Sequence, residues 1–181
     1  CSDTLSWAVE AHALFFMGSG TMPDYTDPTM DISGAAPWYQ HRDLFFYTSW
    51  HGAVHNIGAY AFSHSGLTTA DVPSSVVRIG EGAFSGSPLL RNASLDPGVM
   101  IIEDLAFANC PNLEYIDIPV TVTEISATAF DGCDNLTING IAGSAAEAYA
   151  AAHGIPFVAM NEWASGTYGE NFIALAQHVP D

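Results

Sequence analysis

Apolar residues recur through the middle of the chain at intervals of 22 or 23 residues. The pair Ala-Phe occurs four times, with an isoleucine five residues before each phenylalanine and a valine three residues before each isoleucine. A leucine follows each phenylalanine after five or six residues. A repeat of this length, with several apolar positions in register, predicts a solenoid. The four phenylalanines are Phe62, Phe84, Phe107 and Phe130.

Within each repeat, alternating positions predict one short parallel strand per coil. The segment Leu113-Glu114-Tyr115-Ile116-Asp117-Ile118 directs Ile116 and Ile118 inward and Tyr115 and Asp117 outward. Residues 67–72 and 90–95 share this frame, and a proline ends each of the three segments because it cannot donate to a strand ladder. Successive coils, about 4.8 Å apart, should therefore bury a column of stacked phenylalanine rings.

The first 50 residues do not repeat and are expected to form a β cap. Strands are predicted at Leu5–Val9, Ala13–Met17 and Leu44–Thr48. An open solenoid end exposes its core and a strand edge, so a cap of different composition is required. The aromatic residues expected to plug this end are Trp7, Trp38 and Tyr39. A sugar-binding platform is the alternative role for these three side chains.

The residues that follow the last repeat predict a short alanine-rich helix. Ser144 and Glu147 fit a capping box, and Gly154 fits the helix stop. Residues 155–158 are expected to be extended. Phe172, Leu175, Ala176 and Val179 have helical spacing, so the tail is either a docked helix or the start of a following region. The predicted division is a cap at 1–50, a solenoid of four to five coils at 51–160, and a tail at 161–181.

The repeat resembles the BspA-like leucine-rich repeats of bacterial surface proteins. The motif I-G-x-x-A-F-x-x-C-x-x-L-x-x-I-x-I-P is carried by Ile79-Gly80-Glu81-Gly82-Ala83-Phe84 and by residues 106–119, and the likeness extends over about residues 54–158. This resemblance implies a leucine-rich-repeat solenoid at a bacterial surface or outside the cell. It also implies a non-enzymatic binding or adhesion module with a protein partner, such as a host or extracellular-matrix protein.

The charge balance narrows the classes of partner. The chain has 20 acidic residues against three arginines and no lysine, a net charge of −17. This charge repels phosphate backbones and anionic lipids, so nucleic acid is not an expected partner. No apolar run reaches the roughly 18–20 residues needed to span a bilayer, and membrane insertion is not expected. The chain begins at Cys1 without a methionine, which favours a processed protein or an excised piece.

No motif of catalysis is present, and neither a metal nor a cofactor is expected. His51 and His55 have the spacing of a helical metal pair, but they precede the first coil, which should be extended. Cys110 and Cys133 occupy the same place in successive coils, where Ser65 or His64, and Ser87, stand in the earlier ones. Two buried thiols are favoured there over a disulfide, because parallel side chains do not easily reach its torsion angle.

The outward strand positions form the candidate binding face, which comprises Thr69, Asp71, Asn92, Ser94, Tyr115 and Asp117. The same repeat spacing continues the face with Ile138 and Gly140 in the fourth coil. Two hypotheses follow. In the first, this face binds a protein partner; in the second, the strip is merely solvated and the module is a structural spacer within a larger envelope protein, with no ligand of its own.

Overall fold

The computed structural model describes residues 4–160. Three strands form a cap sheet in the order β1–β2–β3, with β1 and β2 antiparallel and β2 and β3 parallel. These strands are β1 (Ser6–Glu10), β2 (Ala13–Met17) and β3 (Tyr47–His51). Two 3-10 helices, Ile32–Gly34 and Tyr39–His41, lie between β2 and β3.

The solenoid that follows has two parallel sheets, one on each side of the core. The first sheet has five strands, which are β5 (Thr69–Val72), β7 (Asn92–Leu95), β9 (Tyr115–Ile118), β11 (Thr137–Gly140) and β12 (Phe157–Ala159). The second sheet has four two-residue strands, which are β4 (Asn56–Ile57), β6 (Arg78–Ile79), β8 (Ile101–Ile102) and β10 (Glu124–Ile125). The predicted parallel strand of each coil is confirmed, and each coil adds a second, shorter one.

The phenylalanine column is confirmed as a continuous stack through the core. Ring centroids of Phe62 and Phe84 lie 5.2 Å apart, those of Phe84 and Phe107 4.9 Å, and those of Phe107 and Phe130 5.4 Å. The rings are nearly parallel, with interplanar angles of 15°, 8° and 11°. Because every ring meets another coil's ring, no coil can bury its apolar side without a neighbour.

A second internal column runs beside the phenylalanines and contains serine in the early coils and cysteine in the later ones. Ser87 Oγ donates to the Phe62 carbonyl at 3.2 Å. The thiols repeat this contact one coil on, since Cys110 Sγ lies 3.3 Å from the Phe84 carbonyl and Cys133 Sγ 3.0 Å from that of Phe107. Both cysteines are free and buried, which confirms the prediction of two packed thiols.

The cap closes the N-terminal end of the stack with aromatic side chains. Trp38 is 2% exposed, stacks on Phe62 with centroids 5.8 Å apart, and donates its Nε1–H to the Ala61 carbonyl at 2.7 Å. Trp7 packs edge-on against Trp38, as expected. Tyr39 is not part of this plug and lies instead under the Arg42 guanidinium. The third cap strand begins at Tyr47 rather than at the predicted Leu44.

A single helix closes the other end. Helix α1 (Ala145–His153) begins at Ser144, whose Oγ accepts from the Glu147 N–H, and ends at Gly154 in the left-handed conformation. The predicted helix and both of its caps are confirmed. The Tyr149 ring packs edge-on against Phe130 with centroids 5.6 Å apart, and the adjoining strand β12 pairs with β11.

The predicted tail lies outside the described residues. The division of the chain at residues 50 and 160 remains a prediction, and strand β3 runs across the first of these two boundaries.

Candidate interaction face

The outer face of the five-stranded sheet presents two columns of side chains, set by the strand register. One column consists of Thr69, Asn92, Tyr115 and Thr137, which are register partners in successive strands. The other consists of Asp71, Ser94, Asp117 and Asn139. The inward positions between them, Ala70, Ala93, Ile116 and Ile138, are all buried. The structure therefore brings all six predicted residues onto one face.

The predicted continuation of this face into the fourth coil is wrong. Ile138 pairs with the inward Ile116 and is fully buried, and Gly140 pairs with the inward Ile118. The outward positions are instead Thr137 and Asn139. Leu113 lies three residues before Ile116, whereas Leu136 lies two before Ile138, so this coil lacks one residue ahead of its strand. That shorter spacing was the available sequence signal, because a one-residue slip exchanges the two faces of a strand.

The six predicted residues differ in exposure. Asp71 is exposed, and Thr69, Asn92, Tyr115 and Asp117 are half-buried. Ser94 is only 6% exposed. A partner would therefore meet Asp71, Asp117 and Tyr115 more directly than Ser94.

Two carboxyl groups on this face have raised pKa values, although the Asp71 side chain is exposed and only Asp117 is half-buried. The pKa of Asp71 is raised by burial and by the nearby negative charge of Asp96. The pKa of Asp117 is also raised, because its burial outweighs the hydrogen bond that Asn139 Nδ2 donates to Asp117 Oδ1 at 2.7 Å. A positive charge placed beside either carboxylate would stabilise its ionised form. The face is therefore electrostatically suited to a cation.

The opposite sheet carries an acidic groove. Its volume is about 690 Å³, and its lining includes Ile101, Glu103, Asp104 and Glu124. Glu103 is already engaged there, since both of its carboxylate oxygens lie 3.0 Å from Arg78 Nη1. Variants at this acidic groove can therefore serve as controls for variants of the candidate face.

His51 and Cys110, two of the residues with potential metal-binding or nucleophilic chemistry, make packing contacts in the structure. Within residues 4–160, no three His, Cys, Asp or Glu side chains are placed to hold a metal ion. His51 stacks on Phe15, with ring centroids 5.7 Å apart, and its Nε2 lies 3.1 Å from Ser49 Oγ. Contact with the neighbouring thiol of Cys133, together with burial, raises the pKa of the Cys110 thiol, so it remains protonated and a poor nucleophile.

Comparison with known proteins agrees with this architecture. A coil-by-coil stack of parallel strands with an apolar interior defines a repeat solenoid. The model of the BspA type leucine rich repeat region matches in six copies over residues 49–145, more than half of the chain. The chain therefore belongs to the BspA-type leucine-rich repeat family.

In the part of the chain that the structure describes, no helix is long and apolar enough to cross a membrane.

A solved structure has the same fold. A leucine-rich repeat protein from Eubacterium ventriosum aligns with a TM-score of 0.58 at 25% sequence identity. The alignment covers 78% of this chain and 43% of that protein, so this chain spans less than half of its length. No curated protein matches the chain.

Proposed function

We propose that this chain is a non-enzymatic binding module of a bacterial cell-surface or secreted protein, and that it attaches to a host or extracellular-matrix protein. The attachment uses the outer face of the five-stranded sheet. The single observation that supports this most is the alignment of an aromatic side chain and two carboxylates on neighbouring strands of one hydrogen-bonded sheet. The three side chains are Tyr115, Asp71 and Asp117.

The backbone favours such a role because the face is fixed before a partner arrives. Each outward position is held by strand pairing on one or both sides, and Asn139 fixes the Asp117 carboxylate. Binding to a surface that is already ordered costs less conformational entropy than binding to a surface that must become ordered in the complex. Tyrosine is also enriched among the residues that carry most of the energy of protein interfaces.

The test is binding of the whole chain to an array of extracellular-matrix proteins and glycans. The double variant Tyr115→Ala/Asp117→Ala should weaken attachment about tenfold or more, as expected for loss of hot-spot side chains. Its melting temperature should stay within a few degrees, since neither side chain is fully buried. The matched control, Met100→Ala/Glu124→Ala, removes an exposed apolar side chain directly before β8 and a carboxylate in β10, both on the opposite side of the solenoid. Equal attachment by the double variant and the original chain would exclude this face.

A structural spacer is the second candidate function. The phenylalanine stack runs unbroken from Phe62 to Phe130, and parallel pairing joins every neighbouring coil. Such a continuous stack would hold neighbouring parts of a longer protein at a fixed separation. A spacer predicts that the chain by itself binds no member of the same array.

A further inference from the structure

The outer face of the cap sheet carries an exposed aromatic cluster that the repeat pattern does not identify. Tyr47 is 44% exposed, and Met17 is 42% exposed. Phe15 is half-buried and lies nearly parallel to His51, with an interplanar angle of 18°. Alternation along β2 and β3 places these four residues on the side opposite Phe16, which faces the core. We call Phe15, Met17, Tyr47 and His51 the cap cluster.

The cap cluster is continuous with the candidate face because β3 leads into the first coil. The Thr68 N–H donates to the Phe46 carbonyl at 2.8 Å, as the Arg91 N–H donates to the Thr68 carbonyl one coil later. This correspondence places Tyr47 beside Thr69. Further along the strand, Trp50 Nε1–H donates to the Asp71 carbonyl at 2.7 Å. The cap and the first coil are thus joined at two points along their shared edge.

We infer that the recognition face extends over the cap cluster, and that its ligand is a basic protein segment bearing an aromatic or other large apolar side chain. The apolar side chain contacts Phe15 and Tyr47, while lysine or arginine side chains contact Asp71 and Asp117. This inference rests on the proposed function and specifies the chemistry of its partner.

Charge complementarity selects the basic segment. The chain's three arginines each lie beside a carboxylate already: Arg78 pairs with Asp24 and Glu103, Arg91 with Glu114, and Arg42 with Asp43. The net charge of −17 also disfavours an acidic partner. A partner that supplies lysine or arginine side chains is therefore favoured by the carboxylates of Asp71 and Asp117.

The exposed aromatic residues add an apolar anchor to this electrostatic attraction. Tyrosine and phenylalanine side chains contribute large contact areas, and such anchors dominate the affinity of most protein interfaces. Charge alone would give weak, salt-sensitive attraction to any cation. An anchor beside the acidic column would instead distinguish one basic segment from another.

The test uses the full 181-residue chain, labelled with 15N, and three soluble peptides titrated at physiological salt. Each peptide has about twelve residues, which in extended form reach across the cap and several coils at about 3.3 Å per residue. The first contains lysine and tyrosine spaced by glycine and serine. The second replaces tyrosine with serine, and the third replaces lysine with glutamate.

The lysine–tyrosine peptide should bind about tenfold more tightly than the other two, an ordinary contribution for an interface anchor. It should shift amide resonances in β2, β3, β5 and β9. Tyr47→Ser should reduce its affinity to that of the lysine–serine peptide, and Asp117→Asn should weaken both lysine peptides. Met100→Ser, directly before β8, and Glu124→Gln, in β10, change exposed positions on the opposite side of the solenoid and should leave the affinities unchanged.

Three results would overturn the inference in distinguishable ways. Shifts confined to β5 and β9, with no effect of Tyr47→Ser, would remove the cap cluster and leave the proposed face standing. Shifts around Ile101 that weaken with Glu124→Gln would place the site on the opposite sheet and remove both proposals. If none of the peptides shifts any strand resonance, the basic-segment ligand is excluded, and the matrix-protein array alone decides the proposed function.

Discussion

The two ends of the phenylalanine stack are closed by different means. At the N-terminal end, Phe62 is enclosed by aromatic rings from distant parts of the cap, among them Phe16, Trp38 and Trp50. At the C-terminal end, Phe130 is covered by Tyr149, which belongs to one short helix directly after the last coil. A groove of about 260 Å³ remains beside Phe130 and Tyr149, whereas Phe62 is 1% exposed.

The two ends of the stack are therefore covered in different ways: one by a local helix and the other by aromatic side chains from distant parts of the cap. A local helix needs only correct capping and a suitable apolar side, so it forms from neighbouring residues. The aromatic closure depends on side chains separated by more than 20 residues, for example Trp38 and Phe62. The N-terminal closure should therefore carry more of the stability and lose more when one side chain is removed.

The largest expected effect follows replacement of the buried ring at the N-terminal end. Trp38→Ala should cost about 3–5 kcal/mol in the free energy of unfolding, because it leaves a cavity against Phe62 and removes the bond to the Ala61 carbonyl. Urea denaturation followed by circular dichroism measures the loss. The control is Trp7→Ala, whose side chain is only partly buried and should cost less. Equal costs would contradict the assignment of Trp38 as the central plug.

The corresponding replacement at the C-terminal end should be less costly. Tyr149→Ala removes the ring over Phe130 and a hydrogen bond to the Ala127 carbonyl, with an expected loss of about 2–3 kcal/mol. Thermal unfolding of this variant beside Trp38→Ala compares the two closures directly. Tyr149→Phe keeps the ring and should lose only the hydrogen-bond contribution, about 1 kcal/mol. A greater loss for Tyr149→Ala than for Trp38→Ala would reverse the proposed order of the two ends.

The caps of the helix should have a smaller effect. Ser144→Ala removes the oxygen that accepts from the Glu147 N–H, which typically costs about 1 kcal/mol. Ser144→Asp keeps an acceptor at this position and should restore most of the loss. Amide hydrogen exchange in helix α1 detects the change even where the global unfolding is little affected. Unchanged exchange in the alanine variant would show that the side chain does not hold the helix start.

The smallest expected effect on the free energy of unfolding comes from a carboxylate at the N-terminal end of the stack, and it should depend on pH. The pKa of Asp24 is lowered, mainly by the Ala59 N–H that donates to its carboxylate and also by Arg78. A lowered folded-state pKa gives stability that is present above the unfolded value of 3.8 and is lost as the pH falls through the folded one. Because the Asp24 side chain is 56% exposed and solvent screens its charge, Asp24→Asn should cost only about 0.5–1 kcal/mol at pH 7.

Measurements of melting temperature between pH 7 and pH 3 test this linkage. The difference between Asp24→Asn and the original chain should shrink as the pH falls below 4. At the C-terminal end no such pairing with arginine or lysine can form, because the sequence has neither residue after Arg91. A difference that stays constant with pH would show that the ionised carboxylate of Asp24 does not tie the cap to the first coils.

Much of the solenoid could be predicted from the sequence because each coil is a short, local unit. The intervals between Phe62, Phe84, Phe107 and Phe130 determined the stack, and Ser144 and Gly154 located both ends of the helix. Alternation placed Tyr115 and Asp117 on the outer face. Once every coil repeats the same apolar positions, only stacking can bury them, and this physical constraint leaves one architecture.

The rest depended on contacts that only the tertiary structure decides. One residue fewer before β11 placed Asn139 rather than Ile138 on the outer face. The shorter spacing between Leu136 and Ile138 is visible in the sequence, but only the strand register shows that it exchanges the two faces. The aromatic plug contains Trp38 but not Tyr39. The sequence shows which aromatic residues the cap contains, but not the distances between their rings and Phe62 in the folded chain. Tyr47 precedes Thr69 by 22 residues, which is one repeat interval, but only the hydrogen bond from the Thr68 N–H to the Phe46 carbonyl shows that the cap strand continues the outer face.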